Sequence, residues 1–179
     1  LEQTEKLDFL IQSLVKLSRM ESGIIAVHSE DTTIKQMLES IQQQFNVKVR
    51  EKNITLSLCD TDLHIRCDSK WTVEALGNIV DNAIKYTACG GNVQIKVEQY
   101  SFFVKIDIID DGIGIEKEEI PKIFGRFYRS LSVADQPGVG IGLFLAREII
   151  QAQKGYIKVT SERGKCSIFS VFLPISKKE

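Results

Sequence analysis

The stretch 69–87 constrains the fold of this chain most. Its polar and apolar residues repeat with the spacing of a helix, so that the polar residues form one stripe along it. At about 100° per residue, the polar members of the stripe share one side of the helix: Glu74, Asn78, Asp81, Asn82 and Lys85. The apolar members point the other way: Val73, Leu76, Val80, Ala83 and Ile84. This pattern predicts a helix that covers a core with one face and presents amides and an ammonium group on the other.

The polar face suits a metal ion and phosphate groups. The amide oxygens of Asn78 and Asn82 are neutral ligands of the kind that Mg²⁺ accepts together with substrate phosphates. Lys85 follows one turn later, where its ammonium group can contact phosphate oxygens. An amphipathic surface helix explains the same residues, and this segment alone leaves both interpretations open.

Two glycine-containing motifs lie further along the chain. A strand-like run ends in Asp-Asp-Gly-Ile-Gly at 110–114, where glycine lets the backbone approach a ligand and an aspartate can accept from an exocyclic amine. The stretch 138–143, Gly-Val-Gly-Ile-Gly-Leu, opens an apolar helical pattern, and the amide groups at a helix amino terminus suit phosphate. Each motif is weak alone, since Asp and Gly form ordinary turns and a glycine triplet by itself is not a dinucleotide fingerprint.

Four motifs in this order resemble the catalytic ATP-binding domain of sensor histidine kinases. They are Asn-x-x-x-Asn-Ala-x-Lys-Tyr-Thr at 78–87, Asp-x-Gly-x-Gly at 110–114, Phe-x-Arg-Phe-Tyr-Arg at 124–129 and Gly-x-Gly-x-Gly-Leu at 138–143. They match the N, G1, F and G2 boxes of that family, and the resemblance extends from about residue 32 to Pro174. It implies an α+β fold: a two-layer α/β sandwich of the Bergerat type, with helices on one face of a mixed, mostly antiparallel sheet.

The resemblance also implies roles for individual residues in binding ATP and Mg²⁺. Asn82, together with Asn78, would hold Mg²⁺, and both would be catalytic with Lys85, which would contact phosphate. Tyr86 would pack against adenine, and Asp110 would accept a hydrogen bond from its amino group. The remaining nucleotide contacts would come from Gly112, Gly114, Ile115, Arg126, Arg129, Gly138, Val139, Gly140, Ile141, Gly142, Leu143 and Ser167. In this set the first two glycines would admit the base, and the glycine loop would cradle phosphates through backbone N–H groups.

A lid and a last glycine motif complete the expected site. Residues 125–140 are rich in Ser, Gly and Pro and are expected to fold over the triphosphate, so that Arg126 and Arg129 reach phosphate. The aromatic residues around the start of the lid are expected to anchor it by apolar contacts: Phe124, Phe127 and Tyr128. Gly-Lys-Cys-Ser-Ile-Phe at 164–169 resembles a further glycine box of the family. Cys166 stands there where the family has glycine, which leaves open the backbone geometry beside Ser167, although nucleotide binding is expected to survive.

The amino-terminal segment carries leucines at 3-4-3 spacing: Leu7, Leu10, Leu14 and Leu17. Such a seam favours a partner helix, although packing on its own domain explains it as well. Because 17–23 is similar to the end of the second helix of the kinase dimerisation hairpin, 1–24 is expected to be a partial coiled-coil helix of that hairpin and 25–179 the catalytic domain. His28 and His64 lack the phosphoacceptor pattern, so the chain is expected to bind ATP without phosphorylating itself.

Periodicity and turn residues predict the order of the secondary structure. Helices are expected near 1–22, 32–45, 69–87, 116–123 and 141–153. Strands are expected near 25–29, 54–59, 63–67, 92–100, 103–110, 155–161 and 167–173. A residue among 31–33 is expected to cap the second helix, and Asp68 or Ser69 the third.

Composition argues against several classes of function. The formal net charge of −1 gives no electrostatic hold on nucleic acid or anionic lipid. No apolar run approaches the ~20 residues that cross a bilayer, so a cytoplasmic domain is expected, with any membrane anchor of the full-length kinase further upstream. The four cysteines lack Cys-x-x-Cys spacing and are expected to be reduced thiols without a metal.

Together these features predict a protein histidine kinase domain. The γ-phosphate of Mg²⁺-ATP would pass to a histidine upstream of this chain, in cis or in trans, and then to an aspartate of a response regulator; the full-length protein would be a homodimer. Hydrolysis is expected to be poor, because Asn78 takes the position of the glutamate base of related ATPases and Glu74 is expected to be too distant. Two alternatives are a serine-directed kinase of the same superfamily, disfavoured by the leucine seam, and a nucleotide-dependent switch or scaffold, disfavoured by the intact metal, base and phosphate residues.

Overall fold

The fold is that of a computed structural model, which describes residues 27–130, 133 and 138–175 together with residues 7, 11, 12, 14, 15 and 18. In chain order the elements are β1 (Glu30–Thr33), α1 (Ile34–Glu51), β2 (Thr55–Leu58), β3 (His64–Cys67), α2 (Ser69–Tyr86), β4 (Asn92–Gln99), β5 (Phe103–Asp110), α3 (Gly142–Ala152), β6 (Tyr156–Glu162) and β7 (Cys166–Pro174).

The main sheet is mixed and mostly antiparallel, as predicted. Its strand order is β2-β4-β5-β7-β6, with β2 and β4 parallel and the other neighbours antiparallel. β1 and β3 form a separate antiparallel pair, in which Glu30 lies opposite Cys67. The first strand, predicted near 25–29, therefore begins later, because its position follows its pairing with β3 and not its own composition.

The core lies between the three helices and one face of the main sheet. Strand alternation supplies one side of it, as in β5, where Val104, Ile106 and Ile108 are fully buried. The apolar faces of the helices supply the other side, including Ile79 of α2 and Ile149 of α3 in the same cluster. This arrangement confirms the predicted two-layer sandwich.

Helix α2 is fixed at both ends. Asp68 accepts a hydrogen bond of 3.1 Å from the Trp71 N–H, which confirms the predicted amino-terminal cap. At the carboxyl end, the Nζ of Lys52 donates three hydrogen bonds of 2.8 to 2.9 Å, to the carbonyl oxygens of Ile84, Lys85 and Thr87. An ammonium group in this position satisfies terminal carbonyl groups and complements the helix dipole.

Gln153, just beyond α3, connects that helix to the beginning of α2. Its Oε1 accepts from the Asp68 N–H at 2.8 Å, and its Nε2 donates to Thr72 Oγ1 at 3.2 Å. All three residues are buried, so these bonds are shielded from water. They hold the asparagine-bearing helix in register with the helix that follows the glycine loop.

Some boundaries differ from the sequence predictions. The predicted helix at 116–123 is a series of turns, in which single bonds such as Ile120 N–H to Glu116 O at 3.2 Å form without continuing into a helix. The predicted helix at 1–22 lies largely outside the described residues, although the six that are described there are helical. The division of the chain near residue 25 stays a prediction. Within the described part of the chain, no helix is both long enough and apolar enough to cross a membrane.

Candidate functional site

The predicted site residues meet in one cavity of about 430 Å³. Its walls come from α2, the turn after β5, the start of α3 and the beginning of β7. The predicted residues that line it are Asn78, Asn82, Lys85, Tyr86, Asp110, Gly114, Ile115, Arg129, Gly138, Val139, Gly140, Ile141, Gly142, Leu143 and Ser167. Motifs that are far apart in sequence are therefore neighbours in space.

The asparagines of α2 form one wall of the cavity. The Nδ2 of Asn78 is buried and has no hydrogen-bond partner among the described residues. Its Oδ1 faces the start of α3, where a Cβ on Gly142 would lie only 3.3 Å away. A buried amide without a partner is uncommon in a folded protein, and here it points to a ligand or an ordered water.

Lys85 reaches from α2 towards the glycine loop. Its ammonium group lies 4.8 Å from the centre of the Tyr86 ring, and a Cβ on Gly138 would come within 2.8 Å of its Nζ. Burial lowers the pKa of Lys85, and the positive charge of Arg129 lowers it further. Both effects disfavour the ammonium form, and a bound anion would stabilise it.

Asp110, at the end of β5, also lines the cavity. Its side chain is almost fully buried, and burial raises its pKa to about 6. The Gly112 N–H donates to its Oδ1 at 3.0 Å and favours the carboxylate, while the charge of Asp111 raises the pKa further. A buried carboxylate in this state is stabilised by a ligand that offers it an N–H donor.

A serine pair supports the floor of the cavity beside Asp110. Ser167 lies opposite Asp110 in the register of β5 and β7, and its hydroxyl is 3.0 Å from that of Ser161. Ser161 also accepts from the Ile115 N–H at 2.9 Å, so it connects the turn after β5 to β6. Cys166 occupies ordinary paired strand opposite Glu162, and the fold therefore does not require the usual glycine there.

The glycine loop leads directly into α3. Gly140 has a φ of 76°, and a Cβ there would lie 2.5 Å from the carbonyl oxygen of Tyr128. Helix α3 starts at Gly142 without a side-chain cap. Its amino terminus therefore presents backbone N–H groups at the positive end of the helix dipole, beside the cavity.

Two predicted contact residues lie outside the cavity lining. A Cβ on Gly112 would lie 2.6 Å from the carbonyl oxygen of Tyr86, so this glycine allows the turn to pack on the end of α2; that it admits the base stays a prediction. The guanidinium group of Arg126 stacks over the Phe144 ring at 4.7 Å. Gly114 does line the cavity, but the closest neighbour of its Cβ position, at 2.1 Å, would be the carbonyl oxygen of Glu162, so here too a close backbone approach requires glycine.

The three aromatic residues around the start of the predicted lid differ in their exposure and contacts. Phe124 packs against the core, as predicted. Phe127 is 54% exposed with a φ of 59°, so the prediction that it anchors the lid by apolar contacts was wrong. Tyr128 lines the cavity, and its hydroxyl donates to Glu119 at 3.3 Å. Of the predicted lid itself, residues 131, 132 and 134–137 lie outside the described residues.

Several cavity residues carried no motif. They are Gln44, Phe45, Lys48, Glu119, Ile123 and Arg163. Arg163 donates to the carbonyl oxygen of Gly114 at 3.2 Å and so ties the turn after β6 to the turn after β5. The three residues from α1 share one face of that helix, but periodicity alone does not distinguish a cavity from a core.

Comparison with known proteins identifies the family. Residues 67–177 match the family described as Histidine kinase-, DNA gyrase B-, and HSP90-like ATPase. The chain belongs to this family. Sensor histidine kinase WalK of Bacillus subtilis (strain 168) is 31% identical over 182 residues, which is 99% of this chain and 30% of WalK. The chain spans at most about a third of the length of the curated relatives it matches.

Solved structures agree with the family assignment. The Acinetobacter baumannii histidine kinase AdeS superposes with a TM-score of 0.82 at 26% identity, over 98% of this chain and 81% of that one. Histidine kinase ThkA, solved in complex with the response regulator protein TrrA, gives a TM-score of 0.72 at 22% identity, over 94% of this chain and 50% of that one. The second likeness shows the fold alone. The part of the sensor histidine kinases that this chain matches is their catalytic ATP-binding domain.

Proposed function

We propose that this chain is the catalytic part of a two-component sensor histidine kinase, which binds Mg²⁺-ATP and transfers its γ-phosphate to a histidine upstream of the chain. The observation that carries the proposal is the polarity of the cavity lining: it combines the buried carboxylate of Asp110 with the Asn78 amide, whose Nδ2 has no partner among the described residues, and with the ammonium group of Lys85. A nucleotide has the complementary polarity, with an amine on its base and negative charge on its phosphates.

At the base end, Asp110 is the recognition residue for adenine. Its carboxylate accepts from the exocyclic amine, and that bond offsets the penalty that burial imposes on the charged form. Ser167 lies beside it, and Ile115 is held in the cavity wall by its bond to Ser161. Tyr86, which is partly buried, supplies apolar surface for the base.

At the phosphate end, the donor set fits Mg²⁺. The Oδ1 atoms of Asn78 and Asn82 are hard neutral ligands, and two such ligands leave coordination positions for water and phosphate oxygens. When bound, Mg²⁺ neutralises phosphate charge. Lys85 and Arg129 add positive charge, and the N–H groups of the loop ending at Gly142 donate to phosphate oxygens.

The reaction is a transfer between two positioned groups. A nitrogen of the acceptor histidine forms a bond to the γ-phosphorus, the bond from that phosphorus to the bridging oxygen breaks, and ADP leaves with the electron pair. The chain contributes orientation and charge neutralisation. Hydrolysis is slow, because the amide of Asn78 cannot accept a proton from water near neutral pH. Glu74 also lines the cavity, one turn before Asn78, so the rate of phosphate release is a measurable test of this assignment.

The partners follow from the same role. The acceptor histidine lies on a helix of the same kinase, reached in cis or in trans, and residues 1–24 are the end of the second helix of that hairpin. The six helical residues there include apolar side chains that are about half exposed, such as Leu7 and Ile11, which suits a homodimer through a neighbouring helix. A response regulator receives the phosphoryl group; the structure of ThkA with TrrA is the precedent. The kinase as a whole is membrane-anchored, with this domain in the cytoplasm.

The test uses a longer form of the protein that includes the upstream histidine, together with Mg²⁺ and γ-labelled ATP. Label on the protein that is labile in acid and stable in base, with little phosphate released, supports the histidine kinase. Rapid phosphate release without labelled protein indicates an ATPase switch. Acid-stable label on the protein indicates a serine-directed kinase. If the protein is not labelled and no phosphate is released, the chain is a scaffold.

A further inference from the structure

Lys48 of α1 belongs to no motif and yet lines the cavity beside the asparagine-bearing helix. Its Nζ donates a hydrogen bond of 2.5 Å to Asp81 Oδ1. Asp81 directly precedes Asn82 and lies about one turn before Lys85. The salt bridge therefore holds an ammonium group from a second helix next to the phosphate end of the cavity.

The salt bridge between Lys48 and Asp81 contributes little to the stability of the fold. The side chains of Lys48 and Asp81 are 58% and 42% exposed, and exposed ion pairs contribute little to folding. The ammonium group nevertheless acts on the site. The pKa of Lys85 is lowered first by burial and then by the charge of Arg129; Asp81 raises it, and the charge of Lys48 lowers it by less than Asp81 raises it.

We propose that Lys48, held by Asp81, is a further phosphate-binding residue of this site and favours ATP over ADP. The inference rests on the proposed function and extends it to product release. The three cations that line the phosphate end, Lys48, Lys85 and Arg129, repel one another, and an anion between them relieves the repulsion. A triphosphate brings more negative charge than a diphosphate. The third cation therefore strengthens the binding of substrate more than that of product.

Lys35 provides a matched control on the same helix. It also forms a salt bridge with an aspartate, Asp60, at 3.0 Å, and its side chain is 47% exposed. It does not belong to the cavity lining. A change from lysine to methionine therefore removes the same charge and the same type of ion pair at both positions, but only one of them faces the site.

The experiment measures equilibrium binding of Mg²⁺-ATP, Mg²⁺-ADP and adenosine to the whole chain by calorimetry. Lys48→Met is expected to raise the Kd of ATP about tenfold and that of ADP by less than about threefold, with adenosine unchanged, since a charge-assisted contact to phosphate is lost. Lys35→Met is expected to change none of the three. Lys48→Arg is expected to keep the preference for ATP.

Other outcomes overturn the proposal. If Lys48→Met and Lys35→Met have equal effects on ATP, or if Lys48→Met weakens ATP and ADP equally, Lys48 has no role in selection, while the proposed function stands. If Lys48→Met also abolishes adenosine binding, the substitution has damaged the site itself, and Lys48→Arg becomes the deciding variant. A preference for ATP over ADP that Lys48→Arg retains supports the role of Lys48, and loss of that preference contradicts it. If the unaltered chain binds neither nucleotide, both proposals fail.

Discussion

At the scale of single residues, the charged form of Asp110 opposes folding. In the unfolded chain its carboxyl has its ordinary pKa of 3.8, and in the folded chain burial raises the pKa to about 6. Between these values the folded protein binds more protons than the unfolded one, so stability falls as pH rises from about 4 to about 6. Above pH 6 the penalty is complete, and a shift of this size corresponds to about 3 kcal/mol.

The substitution Asp110→Asn is expected to weaken Mg²⁺-ATP binding about a hundredfold. The amide can keep the bond from Gly112 N–H, but the group proposed to accept from adenine becomes a poorer acceptor or a competing donor. Calorimetric titration of the two chains with Mg²⁺-ATP measures the change. Unchanged affinity would sink the adenine assignment.

The same substitution is expected to stabilise the protein at neutral pH. Urea unfolding of both chains from pH 4 to pH 7 gives the difference in the free energy of unfolding, which should be small at pH 4 and grow to about 1–3 kcal/mol in favour of Asp110→Asn at pH 7. A variant that is less stable than the original at every pH would mean that Asp110 supports the fold and not a ligand.

At the scale of elements, the sequence predicted most helices and strands closely, and the misses have local causes. Alternation predicted β4 and β5 within a residue or so at each end, because each strand has one buried face. The stretch 116–123 has helical composition but too little length to continue beyond single turns. The exposure of Phe127 depends on a backbone φ of 59°, which no pattern in the sequence marks.

Gly140 and Gly164 allow a matched test of the glycine loop. Both have positive φ, 76° and 79°, but a Cβ would overlap the Tyr128 carbonyl at Gly140 and meets nothing within 4 Å at Gly164. Alanine at Gly164 is expected to destabilise the chain by about 1 kcal/mol because of its positive φ alone, and alanine at Gly140 by more, because the overlap adds to the same backbone strain. Only Gly140→Ala is expected to weaken Mg²⁺-ATP binding, by about tenfold or more, because the loop must shift. Equal affinities for the two variants would argue that the loop does not contact phosphate.

Lys52 is expected to stabilise the end of α2. Lys52→Met keeps the apolar stem and removes three bonds to carbonyl groups, so the free energy of unfolding should fall by about 2–3 kcal/mol. Urea denaturation measures the fall, and Lys35→Met on the exposed face of α1 serves as the control with little change. Equal stability of these two variants would show that the cap contributes nothing.

At the scale of the whole molecule, the order of the motifs predicted a site that no single motif established. The fold brings α2, the turn after β5, the glycine loop and β7 to one cavity. The family resemblance predicted that these distant motifs share one site, because members of a family share their fold. The contributions of Lys48 and Arg163 were not predictable in the same way. Lys48 comes from a helix without a motif and Arg163 from the turn between β6 and β7, and only the packing of α1 on α2 and of one turn on another brings them to the cavity.

The most direct test of the central claim compares the affinities of the chain for Mg²⁺-ATP and Mg²⁺-GTP by calorimetry. Adenine offers an exocyclic amine where guanine carries a carbonyl oxygen, and that oxygen would face the buried carboxylate of Asp110. The chain is expected to bind ATP at one site and to bind GTP more weakly by about a hundredfold or more. Equal affinities, or no binding of either nucleotide, would contradict it.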